Sequence, residues 1–176
     1  MCPDGIQEAL DYAFAEGNDT GAVLIIKNGA IVAEQYASDR SSTSLVTSWS
    51  VAKSITSALV GSALETGAIK GLEEPLGNYF ASWADTPKSA ITVDQLLTVK
   101  TGLELLGDDD NNGIPDGGDL YAAADQLGLS LSRSLTGNPG EQTYIYSNSD
   151  VMLAGELVHL ATCLLYTSPS PRDSLE

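Results

Sequence analysis

The hydrophobic pattern at the start of the chain predicts a helix followed by a β-hairpin. Apolar residues at helical spacing predict the helix over Ile6 to Ala15, and Gly17 ends it. Ala22 to Ile26 is a continuous apolar run, which is typical of a strand covered on both faces. The dipeptide Asn28-Gly29 favours a tight turn in which both residues have positive φ. The return strand is therefore expected over Ala30 to Tyr36.

A second helix is predicted to begin near Ser50, after the polar loop from Ser38 to Ser44, and to end at Gly67. Ser50 would then fall in its first turn, where free N–H groups and the positive end of the helix dipole favour negative charge. Its apolar positions are expected to share one buried face; they are Val51, Ile55, Ala58 and Leu59.

Two later helices are also predicted, and the region from Leu72 to Ser130 looks mainly helical. Thr92 and Gln95 have the spacing of a capping box, and Lys100 followed by Gly102 is typical of a helix C-terminus. The last helix is expected from Asp150 to Ala161. Its apolar face consists of Val151, Leu153, Ala154, Leu157, Val158 and Leu160, and His159 is expected at the surface without a role.

Ser50 and Lys53 are the first candidates for chemistry. Positions i and i+3 share a helix face, so the Lys53 amine can reach the Ser50 hydroxyl, which needs a neighbouring base to act as a nucleophile. Tyr146 could supply a second proton-handling group and Asn148 an amide that holds the lysine or a substrate. From the helix alone, a second interpretation is open, in which Ser50 only caps a buried helix and Lys53 extends into water.

Four blocks of sequence carry a family resemblance. They are Gly21 to Tyr36, Ser48 to Gly61, Ile91 to Thr98 with Gly102-Leu103, and Pro139-Gly140 ahead of Tyr146-Ser147-Asn148. In this order they resemble the serine β-lactamase and penicillin-binding-protein superfamily, and within it the class C-like branch with 6-aminohexanoate-oligomer hydrolases and family VIII esterases. The resemblance implies Ser50 as the nucleophile, Lys53 as its activating partner, Tyr146 as general base and acid, and Asn148 as a substrate or lysine contact.

The same resemblance implies an α+β fold of the β-lactamase/transpeptidase type. In that fold an antiparallel sheet is flanked by helices, a mainly helical region is inserted into it, and the site lies at the junction. Only the first hairpin of the sheet is expected in this chain. The third motif of the superfamily, a Lys-Thr-Gly strand, is expected to be missing, since Lys100-Thr101-Gly102 precedes Tyr146 and closes a helix.

The C-terminal residues do not continue these patterns. Cys163 to Asp173 has no apolar period and resembles the conceptual translation of a sequencing adapter. We therefore expect residues 1–162 to be the N-terminal part of one hydrolase domain and residues 163–176 to be a non-native tail. By itself this fragment is expected to be inactive.

An acidic segment has the spacing of a twelve-residue calcium loop. Gly113 occupies the sharp turn at position 6. The candidate ligands are Asp108, Asp110, Asn112, the Ile114 carbonyl, Asp116 and Asp119, the last standing where glutamate is usual. The alternative is a solvated acidic loop, because Asp, Asn and Gly are ordinary turn formers. A bound calcium would be structural, and no cofactor is expected in catalysis.

Composition limits the possible partners. The chain has 24 acidic and 8 basic residues and a net charge of −16, which argues against nucleic acid as a partner. No stretch approaches the ~20 apolar residues of a membrane span, and no signal peptide precedes Asp4. The resemblance slightly favours a periplasmic or extracellular location, and oligomeric state stays open.

The leading functional prediction is a serine hydrolase that forms an acyl-enzyme on an ester or linear amide. The first alternative is a β-lactamase or D,D-peptidase, and the second is a non-catalytic cell-wall or calcium-dependent binding module.

Overall fold

The computed structural model describes residues 3–105, 117–141 and 144–163, in an α+β arrangement as predicted. The chain divides into two compact units, residues 1–48 and residues 49–176. Within the described ranges, no helix is long and apolar enough to span a membrane.

The first unit contains one helix and one hairpin. Helix α1 (Pro3–Ala13) begins and ends slightly earlier than predicted. Strands β1 (Ala22–Lys27) and β2 (Ala30–Tyr36) pair antiparallel with Ala22 opposite Tyr36, and a bulge lies between Ile25 and Ile26. The predicted turn is confirmed, because Asn28 and Gly29 have φ of 52° and 78°.

The prediction that both faces of β1 are covered is wrong for the described residues. Leu24 is 51% exposed and Ile26 is 60% exposed. The apolar run identifies side chains whose burial would stabilise the fold. Such burial requires a second layer of structure packed against the sheet. In the described part of the chain, β1 pairs with β2 alone in a two-stranded sheet, and such a ribbon is marginal by itself.

The second unit is helical. Its α-helices are α2 (Val51–Glu65), α3 (Val93–Leu97), α4 (Gly117–Ala122), α5 (Gln126–Ser132) and α6 (Asn148–Thr162). Three short 3₁₀ turns separate α2 from α3, at Leu76–Asn78, Ala81–Trp83 and Pro87–Ala90. Helix α6 packs against α2, α3 and α5. The largest fully buried side chains of the resulting core are Trp83, Ile69, Leu76, Ile91, Leu96, Leu153 and Leu157.

The buried face of α2 differs from the predicted one. Val51 and Ile55 are 66% and 53% exposed, and the buried residues are Thr56, Val60 and Ala63. Helix α2 is apolar around most of its circumference, so spacing alone does not identify the side that contacts α6. The predicted end is confirmed, because α2 ends at Glu65 and Gly67 follows with φ of 77°.

Helix α3 begins as predicted and ends earlier. Thr92 and Gln95 form a complete capping box. Val99, directly after the C-cap residue Thr98, has positive φ (55°), so the helix ends before Lys100. Gly102 also has positive φ (77°) but lies further from the helix end. It allows a close approach of the chain, because a Cβ there would lie 2.5 Å from the Gly137 carbonyl oxygen. Its own carbonyl accepts hydrogen bonds from the N–H groups of Thr136 and Gly137.

Lys88 and Trp83 hold the C-terminal end of α5. The Leu131 carbonyl accepts hydrogen bonds from Lys88 Nζ at 2.7 Å and from Trp83 Nε1 at 3.0 Å. Lys88 Nζ also donates to the Arg133 carbonyl at 3.0 Å, and burial lowers the pKa of this lysine. These bonds fix the backbone from which the Arg133 side chain extends.

Candidate active site

Ser50 lies at the N-cap position of α2 and not inside its first turn. Its backbone is already helical (φ −68°, ψ −5°), and its side chain makes no capping hydrogen bond. The interpretation of Ser50 as a simple helix cap is therefore wrong, because the hydroxyl points to other partners. Trp49, directly before it, is exposed and has φ of 44°, a conformation that is rare for a bulky residue and that costs free energy.

The Ser50 hydroxyl contacts the side chains of Tyr146 and Lys53. Tyr146 Oη lies 2.8 Å from Ser50 Oγ, although the residues are 96 positions apart. Lys53 Nζ donates to Ser50 Oγ at 3.2 Å. The Lys53 ammonium also lies 5.0 Å from the centre of the Tyr146 ring. The structure thus brings a serine, a lysine and a tyrosine into one hydrogen-bonded group.

The start of α6 positions Tyr146 and Asn148. Ser147 is the N-cap of α6, and its hydroxyl accepts a hydrogen bond from the Asp150 N–H at 3.0 Å. Asn148 is the first residue of the helix and lines a cavity together with Lys53. The four residues predicted from sequence, Ser50, Lys53, Tyr146 and Asn148, therefore lie around the junction of α2 with α6.

Sequence reasoning missed a buried pair behind this junction. Thr101 and Asp150 are both buried, and Thr101 Oγ1 lies 3.0 Å from each Asp150 carboxylate oxygen. The spacing of Ser147 and Asp150 marks the start of a helix, because a serine is followed three residues later by an acid, but it does not indicate the contact with Thr101. The sequence analysis treated Lys100-Thr101-Gly102 only as the end of a helix, and it did not predict that Thr101 contacts α6.

Arg133 links α6 to α4. Its side chain is buried, its Nε donates to Ser149 Oγ at 3.3 Å, and its Nη1 lies 2.8 Å from Asp119 Oδ2. Contact with the Arg133 guanidinium holds the pKa of the Asp119 carboxyl below its usual range. A buried guanidinium of this kind requires its carboxylate, since an unpaired buried charge is costly.

A cavity of about 380 Å³ lies beside the Lys53 and Tyr146 side chains that contact Ser50. We name it the α3 cavity, because Leu96, Leu97 and Val99 form one wall. Lys53 and Tyr146 line it as well, so a bound molecule there would contact two of the three polar side chains.

Most of the predicted calcium ligands lie outside the described residues, namely Asp108, Asp110, Asn112, Ile114 and Asp116. Asp119 is described and contacts Arg133 near the start of α4. Among the described residues, no group of three or more His, Cys, Asp or Glu could hold a metal ion. Calcium binding by this loop stays a prediction.

The sequence and the fold were compared with those of known proteins. A comparison with curated proteins gives no significant match. The chain is similar in structure to a Bacillus anthracis protein provisionally named 6-aminohexanoate-dimer hydrolase, with 22% identity and a TM-score of 0.66 over 90% of this chain and 43% of that one. It is also similar to a provisionally named beta-lactamase of Bacteroides dorei DSM 17855, with 20% identity and a TM-score of 0.65 over 91% of this chain and 45% of that one.

These two similarities concern the fold, and the chain spans less than half the length of either solved structure. The family profile named Beta-lactamase matches residues 10–166, which is most of the chain and includes Ser50, Lys53, Tyr146 and Asn148. The chain therefore belongs to the beta-lactamase family.

Proposed function

We propose that the chain carries the nucleophile and proton-transfer groups of a serine hydrolase that works through an acyl-enzyme. The observation that carries this proposal is the position of Ser50 Oγ, 2.8 Å from Tyr146 Oη and 3.2 Å from Lys53 Nζ. A serine hydroxyl needs an adjacent base to become a nucleophile, and such distances suit direct proton transfer.

In the proposed reaction, Ser50 Oγ attacks the carbonyl carbon of an ester or amide. The hydroxyl proton passes to Tyr146 Oη, which accepts it as a phenolate beside the Lys53 ammonium, and the resulting phenol then protonates the departing alcohol or amine. Water attacks the acyl-enzyme, gives a proton to the same Tyr146 oxygen, and releases the acid and the Ser50 hydroxyl. The Lys53 ammonium, 5.0 Å from the Tyr146 ring centre, would favour the negatively charged form of this side chain as a nearby opposite charge. The sequence of steps uses no cofactor.

The proposed substrates are carboxylic esters or linear amides. The block around Ser48-Trp49-Ser50 resembles the esterase and amide-hydrolase branch, and one similar structure is provisionally named for hydrolysis of a 6-aminohexanoate dimer. The other is provisionally named a beta-lactamase, so a β-lactam is the competing substrate class. We also propose that residues 1–162 are the N-terminal part of a longer hydrolase.

The experiment uses protein expressed from the complete reading frame. It is treated with a fluorophosphonate probe, and the modified residue is identified by peptide mass spectrometry. We expect the adduct on Ser50 and its loss in Ser50→Ala, whereas Ser62→Ala, an exposed serine on the same helix, keeps full labelling. Labelling at another serine would overturn the assignment, and absence of labelling would favour a non-catalytic binding module.

Hydrolysis of three probes separates the substrate classes. An aryl acetate, a linear anilide and a chromogenic cephalosporin are compared by kcat/KM. We expect kcat/KM for the acetate or the anilide to exceed kcat/KM for the cephalosporin. The reverse order would favour a β-lactamase, and rapid acylation by penicillin without turnover would favour a D,D-peptidase.

A further inference from the structure

A second cavity, of about 520 Å³, runs along α6 from the proposed catalytic group. We name it the α6 cavity. Lys53 and Asn148 line one end, beside the Ser50 hydroxyl, and Glu156 and His159 line the other. The α6 cavity adjoins the α3 cavity, and Lys53, Thr56 and Val151 line both.

The walls between these two ends are largely apolar. Leu120 of α4, Leu127 of α5 and Met152 of α6 all line this space. The α6 residues of the lining follow helical spacing, so they form a continuous stripe. Asn148 and Glu156 are eight positions apart, which at 1.5 Å per residue is roughly 12 Å along the helix. The cavity is thus a largely apolar site that begins at Lys53, whose Nζ lies 3.2 Å from Ser50 Oγ.

We propose that the α6 cavity binds the acyl chain of the substrate and selects a linear aliphatic chain of about eight carbons, whose extended length is roughly 10 Å. This inference rests on the proposed function, because Ser50 has to hold the carbonyl end. Burial of each methylene removes apolar surface from water, so affinity rises with chain length until the cavity is filled.

Gly155 provides the means to test this proposal. It lines the α6 cavity within a helix, and a Cβ at this position would meet nothing within 4 Å. A larger side chain would therefore enter the cavity without a backbone clash. Gly61 is the matched control, because it is a helical glycine of α2, also has open space at its Cβ, and does not line the cavity.

The first experiment compares p-nitrophenyl octanoate with p-nitrophenyl acetate in protein from the complete reading frame. We expect Gly155→Leu to lower the ratio of their kcat/KM values about tenfold or more, the scale of hydrophobic-pocket discrimination. Gly61→Leu should leave the ratio unchanged. An unchanged ratio in Gly155→Leu, or an equal fall in Gly61→Leu, would overturn the proposal.

The second experiment measures binding without acylation. Octanoate is titrated into the Ser50→Ala variant, with saturation followed by calorimetry. We expect binding that weakens about tenfold or more when Gly155→Leu is added and that persists with Gly61→Leu. Absence of saturable octanoate binding would overturn the cavity assignment even if Ser50 is labelled. Octanoate binding without any labelling of Ser50 would support the cavity and overturn the proposed function.

Discussion

The Thr101 hydroxyl lies 3.0 Å from both carboxylate oxygens of Asp150, and both residues are buried. Asp150 occupies the first turn of α6, just after the segment that holds Tyr146 and Asn148. The contact therefore ties the chain after α3 to the helix start that positions the tyrosine beside Ser50.

We expect Thr101→Val to destabilise the protein by ~1–3 kcal/mol, because the valine keeps the shape and removes a donor from a buried carboxylate. Thr101→Ser should restore most of the loss. Thr98→Val is the control, since Thr98 is exposed and bonds only a backbone carbonyl of its own helix among the bonds described. Urea unfolding measures all three variants, and equal losses in Thr101→Val and Thr98→Val would contradict the prediction.

The Tyr146 hydroxyl is predicted to be essential for turnover. Tyr146→Phe keeps the ring beside Lys53 and removes the oxygen 2.8 Å from Ser50 Oγ. Loss of a general acid–base group should lower kcat by ~10²–10⁴-fold with little change in unfolding free energy. Tyr121→Phe alters an exposed tyrosine of α4 and should leave kcat unchanged. A Tyr146→Phe variant with near-normal turnover would exclude Tyr146 from proton transfer.

The Asp119–Arg133 pair is expected to make the free energy of unfolding depend on pH in the acidic range. Asp119 has an ordinary pKa of 3.8, and the Arg133 guanidinium lowers it in the folded protein. An aspartate with a depressed folded pKa stabilises the fold fully above its unfolded pKa, and this contribution is lost as the pH falls through the folded pKa. The free energy of unfolding should therefore begin to fall as the pH drops below about 4.

Asp119→Asn should flatten that part of the pH dependence. At pH 6 the same variant should be less stable by ~3–5 kcal/mol, because it leaves the buried Arg133 charge without its carboxylate. Urea unfolding at pH 6 and pH 3 provides the measurement, with the exposed Asp85 changed to asparagine as the control. If wild type and Asp119→Asn lose the same stability between the two values, the pair does not cause the acid sensitivity.

Calcium binding by the acidic loop is a separate prediction from the sequence. At free calcium ~100 times the dissociation constant, binding should stabilise the folded state by about 2.7 kcal/mol. Asp110→Ala should abolish the accompanying rise in melting temperature, and Asp85→Ala should not. A melting temperature that responds to neither calcium nor chelator would leave an ordinary acidic loop.

The polypeptide of 176 residues is predicted to associate and to lack hydrolase activity when expressed alone. The hairpin exposes Leu24, Ile26, Ile31 and Val32, and α2 exposes Val51 and Ile55. Exposed apolar surface and strand edges of this kind favour aggregation. Size-exclusion chromatography tests the association, and hydrolysis of an aryl acetate tests the activity. A monomeric, active preparation would contradict the prediction.

The sequence by itself determined the local elements. The Asn28-Gly29 turn, the Thr92 capping box and the glycine after α2 were predictable, because each depends on residues within a few positions of one another. The contact between Ser50 and Lys53 was also predictable, because residues three positions apart share one helix face. The family resemblance added Tyr146 and Asn148, which local periodicity could not have connected to a serine 96 positions away.

Only the tertiary structure decided which faces are buried and which distant polar groups meet. Helix α2 is apolar on several sides, and packing against α6 selected Thr56, Val60 and Ala63 over Val51 and Ile55. Thr101 meets Asp150, and Arg133 meets Asp119 and Ser149, through contacts between separate elements. The position of such groups depends on how helices pack, and packing involves many residues at once, so no local pattern encodes it.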